Sequence, residues 1–318
     1  MKRQERARES GLERPDEPGR RSEQVADRAF PRFLKIAGKA LFGAALVYAL
    51  GVCTRWGQHF GDAAYAGRLQ SSPELRRGAL EVLETLRGSS IVLIGGAALL
   101  VALVRGRPRL ALLTAAVLAV SILGGEALKR ALVRPDYGID PAGMTGNWAP
   151  SGHATVAMTL VLCVLLVVPD RLRVSVAIVG ATYAALVASG TLAAGWHRPA
   201  DAIMASLWSF GIATLGVAVL VAWRGGGSAD AVTQVIDGRH LQRAGIAVVV
   251  TIPVLVVIGS FFRDHESILW AQPSWRFVVA IVVIDLVAVA SVVIFARLLR
   301  GIPLDRPRSP QAILNSAG

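Results

Sequence analysis

Charged residues are scarce in this chain: Asp, Glu, Lys and Arg make up 18% of its 318 residues, against about 25% in a typical soluble domain. That shortage excludes an ordinary soluble globular protein. Cysteine is nearly missing as well. The two present, Cys53 and Cys163, sit inside apolar runs. This excludes a disulfide framework and a cysteine metal site, and leaves packing as their role. The first 30 or so residues lack the apolar stretch that follows the basic start of a secretory leader, so no cleavable signal peptide is expected. No internal repeat is evident either.

What is abundant is apolar sequence: 53% of residues are hydrophobic. They fall in long unbroken runs rather than with period 2 or 3.6. Runs of about 18 or more apolar residues span a bilayer. The expected fold class is therefore all-α, a polytopic transmembrane bundle of about eight spans. These cover roughly 36–53, 91–104, 110–128, 153–168, 174–194, 200–223, 244–262 and 277–299. The net charge of +12 raises a nucleic-acid reading, since basic chains bind phosphate backbones. Its distribution argues against one, because the Lys and Arg residues lie in the N-terminal tail and in short loops between apolar runs.

Those loop charges orient the bundle. The N-terminal tail, 105–109, Arg171 with Arg173, 224–243 and 297–308 are basic and belong on the cytoplasmic side by the positive-inside rule. Segments 54–90, 129–152, 190–199 and 263–276 then face out, and all four carry Trp, as interfacial belts do. Segment 54–90 is also basic, and its stretch 73–87 has helical apolar spacing suited to the membrane surface. The expected organisation is a disordered basic tail at 1–34, a transmembrane pair with an outer loop at 35–106, a helical core at 107–224, a second pair at 225–300 and a tail at 301–318. Both termini are expected in the cytoplasm of a plasma-membrane protein.

Three outward segments carry chemistry: Lys129 through Arg134 and Pro135, Pro150-Ser151-Gly152-His153, and Gly190 through Asp201. Ser151 before an apolar run is a helix N-cap. The free N–H groups and dipole of such a helix start attract an anion, and Gly152 lets an oxyanion come close to the backbone. Pro199 suits a first helical position, which puts Asp201 in the first turn within reach of the His197 ring. A carboxylate on one ring nitrogen fixes the tautomer and leaves the other free to attack. Two histidines, a carboxylate and several cations on one face could hold a phosphate, attack it and protonate its leaving group.

These segments resemble the signature of the type-2 phosphatidic acid phosphatase (PAP2) and vanadium haloperoxidase superfamily: Lys-x6-Arg-Pro, then Pro-Ser-Gly-His, then Ser-Arg-x5-His-x3-Asp. The second motif is complete here. The third keeps His197 and Asp201 but has Gly190 and Thr191 where Ser and Arg are usual. In the first, Lys129 stands only five residues before Arg134, so Asp136 and Tyr137 occupy the usual Arg-Pro positions. The resemblance spans about 110–223.

It implies a phosphohistidine mechanism without metal or other cofactor. His197 would be the nucleophile, Asp201 its orienting partner and His153 the general acid. Lys129, Arg134, Ser151 and the Gly152 N–H would neutralise the phosphoryl oxygens, with Arg198 or Arg130 standing in for the missing arginine. The implied partner is a membrane lipid bearing a phosphomonoester or pyrophosphate, such as phosphatidic acid, phosphatidylglycerophosphate or a polyprenyl pyrophosphate. Transfer of a phospho-headgroup to another alcohol, or lipid-phosphate binding without catalysis, are the alternatives. Lys129 and Arg130 are also placed to snorkel, Arg134 and Arg198 to anchor at the interface, Glu126 to pair with a neighbouring cation, and Trp148 and Trp196 to sit at headgroup level. Asp285, a carboxylate inside the eighth span, is read as functional or locally hydrogen-bonded. His59, His240 and His265 receive no role.

Overall fold

The structure, a computed structural model, describes residues 18–139, 146–223 and 274–300. Among them are nine α-helices and no strand. They are α1 (Pro18–Gly51), α2 (Arg55–Gly67), α3 (Pro73–Glu84), α4 (Gly88–Val104), α5 (Pro108–Ala131), α6 (Gly152–Val167), α7 (Asp170–Ala193), α8 (Pro199–Trp223) and α9 (Ser274–Leu298). The candidate span at 244–262, with His240 and His265, lies outside the described residues.

Five helices are long and apolar enough to cross a bilayer: Ala29–Gly51 within α1, then α5, α7, α8 and Trp275–Leu298 within α9. α3 and α4, bent by 54° at the break between them, have the length and apolarity of a sixth span or a re-entrant loop when taken together. Seven of the eight expected spans coincide with helices, one of them, 153–168, being α6, which is shorter than a span candidate. α1 departs most, reaching back to Pro18, because residues 18–35, although polar, are rich in the helix formers Arg, Glu, Gln, Lys and Ala.

Local chemistry explains the starts. Thr54 caps α2 by accepting from Gly57 N at 3.0 Å, and Ser72 caps α3 by accepting from Leu75 N at 3.3 Å. Pro73, Pro108 and Pro199 open their helices, where the missing N–H costs nothing.

α6 is the axis of the bundle and packs against α4, α5, α7, α8 and α9. Nearly every residue from Ala154 to Val167 is buried. Its 16 residues measure about 24 Å at 1.5 Å per residue, short for a lipid-facing span. Neighbouring helices surround it, so its length need not match the bilayer. Small residues let the helices approach, the usual device where lipid tails remove the hydrophobic drive for helix association. A Cβ on Gly211 of α8 would stand 2.7 Å from the Leu41 side chain of α1. One on Gly180 of α7 would stand 2.5 Å from Val161 of α6.

Two apolar layers result. One, with Phe33, Leu110, Leu166, Phe210 and Phe295, fills the end where α1, α5 and α7 begin. The other, with Leu83, Leu160, Leu192, Phe277 and Ile281, lies beneath the opposite end. At that opposite end α5 and α7 finish, and α4, α6, α8 and α9 begin. The three chemistry-bearing segments meet there.

Candidate active site

Asp201 occupies the first turn of α8, and its Oδ2 lies 3.1 Å from Nδ1 of His197. The same oxygen accepts from the Arg198 backbone N–H at 3.1 Å. One carboxylate oxygen therefore caps the helix start and fixes the imidazole. His197 is held from behind, since its N–H and that of Trp196 both donate to Thr191 O, at 3.1 and 2.9 Å. The Trp148 ring meets the His197 ring edge-on at 6.4 Å between centroids. Both His197 and Asp201 are buried. A carboxylate on Nδ1 leaves Nε2 as the nitrogen available for attack.

α6 begins beside α8. Ser151 N donates to Asp201 O at 3.0 Å, joining the two helix starts. Its hydroxyl accepts from Ala154 N at 3.5 Å, so the side chain caps α6 as its sequence position predicts. Ser151 is completely buried. Gly152 and His153 follow in the first turn. The His153 ring packs on Trp196 at 5.0 Å. Lys129 Nζ lies 3.6 Å from where a Cβ on Gly152 would stand, which puts the ammonium over the glycine backbone. Lys129 also pairs with Glu126 at 3.5 Å. Glu126 bonds Arg130 at 3.4 Å too, the pairing expected for it, and Arg130 is mostly exposed.

His153, His197, Gly152 and Lys129 line one cleft of about 570 Å³, together with Trp148, Trp196 and Glu126. Its remaining wall is mostly apolar, with Leu86 at the α3–α4 break, Ile91 of α4, Ile122 and Leu123 of α5, and Thr155 and Val156 of α6. Polar groups converge at one end of it and aliphatic side chains line the flank.

Arg134 and Arg198 are arranged differently. Neither lines this cleft; both bind Asp62 of α2. Arg134 Nη2 lies 3.3 Å from Asp62 Oδ2, and Arg198 Nε donates to Asp62 Oδ1. All three side chains are buried. Sequence reasoning passed over Asp62. Its only local signal is a carboxylate on a short helix that also carries Gly57 and Gly61, and nothing nearby in the chain indicates two arginines.

The positions that depart from the family pattern have structural duties. Thr191 is buried and its hydroxyl bonds Ala188 O at 2.7 Å. A Cβ on Gly190 would lie 3.8 Å from Ala79 of α3, so α3 packs where the family pattern has a serine and an arginine. Asp136 accepts from Gly138 N at 2.8 Å in an exposed turn, and Tyr137 OH donates to Cys53 O at 2.7 Å. Asp285 is buried on α9, beside Ser189 of α7, and exposed His59 lies outside the cleft. Among the described residues no group of three or more His, Cys, Asp or Glu side chains could hold a metal ion.

Residues 91–224 match the family model of the PAP2 superfamily. No curated protein and no solved structure matches the chain.

Proposed function

Residues 91–224 make this chain a member of the PAP2 superfamily, whose chemistry is of the phosphatase type, and from that premise we propose that it hydrolyses a phosphomonoester or pyrophosphate carried by a membrane lipid. The observation that carries this reading is the cleft itself. It brings a carboxylate-oriented histidine, a second histidine, an ammonium and a glycine-opened helix start together at the end of an aliphatic wall.

In the proposed reaction the phosphate lies at the start of α6, against Lys129 and the Gly152 N–H, with its lipid chain along Leu86, Ile91, Ile122 and Leu123. His197 Nε2 attacks phosphorus with its lone pair while Nδ1–H stays bonded to Asp201. The P–O bond to the lipid breaks and His153 gives its proton to the departing oxygen. His153, now neutral, takes a proton from water as the water oxygen attacks the phosphohistidine. The P–N bond breaks, its electrons return to Nε2, and inorganic phosphate leaves. Ser151 serves by capping α6 and by tying it to Asp201. Positioning and charge neutralisation supply most of the rate in such transfers, so no metal is required. By the distribution of loop charges the site faces outward from the plasma membrane, with both termini inside.

The test is phosphate release in EDTA by the purified full-length chain, offered phosphatidic acid, phosphatidylglycerophosphate and a polyprenyl pyrophosphate. At least one should be hydrolysed. His197→Ala should lower that rate by at least about 10⁴-fold, as expected for loss of a nucleophile. No release from any of the three, or full activity in His197→Ala, refutes the reading.

A further inference from the structure

α2 lies upstream of the matched segment, yet it touches two of the three chemistry-bearing segments. Gln58, Asp62 and Tyr65 are spaced i, i+4, i+7, which places them along one face of the helix. Gln58 Nε2 donates to Pro135 O at 2.8 Å. Asp62 accepts from Arg134 Nη2 on both oxygens, at 3.3 and 3.4 Å, and from Arg198 Nε on Oδ1. Tyr65 OH donates to Gly195 O at 2.8 Å. In order along the helix, α2 therefore holds the segment after Lys129, both arginines, and the turn before His197.

We infer that Asp62 is a positioning residue of this site: through Arg134 and Arg198 it locks the Lys129 segment and the His197 turn into one register for the phosphoryl group. The inference rests on the phosphatase reading above and deepens it. Three physical points support it. A guanidinium held through Nε has its whole plane fixed, because Nε and the terminal nitrogens share one rigid fork. Arg198 is held in this way, and its backbone N–H is bonded to the same Asp201 oxygen that orients His197, so tilting Arg198 disturbs the nucleophile directly. Asp62 itself is 5% exposed and Arg198 3%. A carboxylate buried so deeply is costly unless its partners stay in place, and this opposes any drift of the two segments apart. The chain thereby ties these two segments together from α2, through arginines that lie outside the cleft.

The experiment is a double-mutant cycle on the full-length chain in detergent, with size-exclusion profiles to verify folding. Asp62→Asn should lower kcat for phosphate release roughly 100-fold, as for loss of one oriented donor, with KM nearly unchanged. It should weaken inhibition by orthovanadate by about tenfold or more. Asp62→Glu should recover part of both losses. In a background carrying Arg134→Gln and Arg198→Gln, Asp62→Asn should cost almost nothing further, because its effect acts through those two side chains. Wild-type kcat in Asp62→Asn, or losses that simply multiply in the combined variant, overturn the proposal. If Asp62→Asn does not yield folded protein, the same cycle is run with Asp62→Glu, where non-additivity supports the proposal and additivity overturns it. Absence of phosphate release by the wild type would refute the phosphatase reading alone. Asp62 would then be judged by thermal shift with orthovanadate: a shift weakened by Asp62→Asn supports its role, and an unchanged or absent shift overturns it.

Discussion

The two parts of the site differ in how far along the chain their residues travel to meet. His197 and Asp201 are four residues apart, and the turn that opens α8 brings them together. Asp62 meets Arg134 across 72 residues and Arg198 across 136, and only the packing of α2 against α9 and α8 brings them together. The first pair would form wherever this helix start forms. The second exists only in the assembled bundle. On the proposed mechanism, the attacking nitrogen of His197 is oriented locally, while the join between the Lys129 and His197 segments is left to the tertiary fold.

Graded substitutions test that division. Asp201→Asn strikes the local pair: it keeps the shape of the side chain but removes the charge that sets the His197 tautomer. It should lower kcat by roughly 10³-fold with little change in KM. Steady-state phosphate release, with a folding check by thermal midpoint, measures it. Arg198→Lys strikes the long-range cluster. The charge survives but the rigid fork does not, and kcat should fall by about 10- to 100-fold. Equal losses in the two variants would break the comparison, since the local pair would then carry no greater share of the chemistry.

The smallest effect is expected where the two parts join. Gly195 has φ +78°, and a Cβ there would stand 2.5 Å from Arg68 Nε. The Arg68 guanidinium is stacked over the Tyr65 ring at 3.6 Å, so it yields only by giving up that contact. Gly195→Ala should destabilise the protein by about 1–2 kcal/mol. A lowered thermal midpoint and a several-fold drop in kcat would register it, whereas an unchanged midpoint would show that this turn is not under strain.

The fold was legible because its signal is repeated in each helix. Apolar runs long enough for a bilayer reappear as α5, α7, α8 and α9 with ends shifted by a few residues, and the cap at Ser151 and the first-position proline at Pro199 mark helix starts that the chain does use. The polar start of α1 was less legible, since charge masks a helix that apolar periodicity does not announce. Within the site, the pairing of His197 with Asp201 and the cap at Ser151 could be read from spacing. The placing of Arg134 and Arg198 on Asp62, outside the cleft, could not. A guanidinium reaches several ångströms, and which anion it meets depends on elements distant in sequence.

By itself, then, the sequence determined an all-helical membrane bundle, the local helix starts that carry Ser151 and Asp201, and the histidine that an aspartate can orient. Those features follow from contacts within one turn or from apolar runs summed over a whole helix, and both are written contiguously in the chain. Only the tertiary structure decided that α6 would lie buried along the axis, that Lys129 would sit over Gly152, and that α2 would supply Asp62 to two arginines. These depend on which helix faces come together, and that choice is made by packing across the bundle rather than by any one segment.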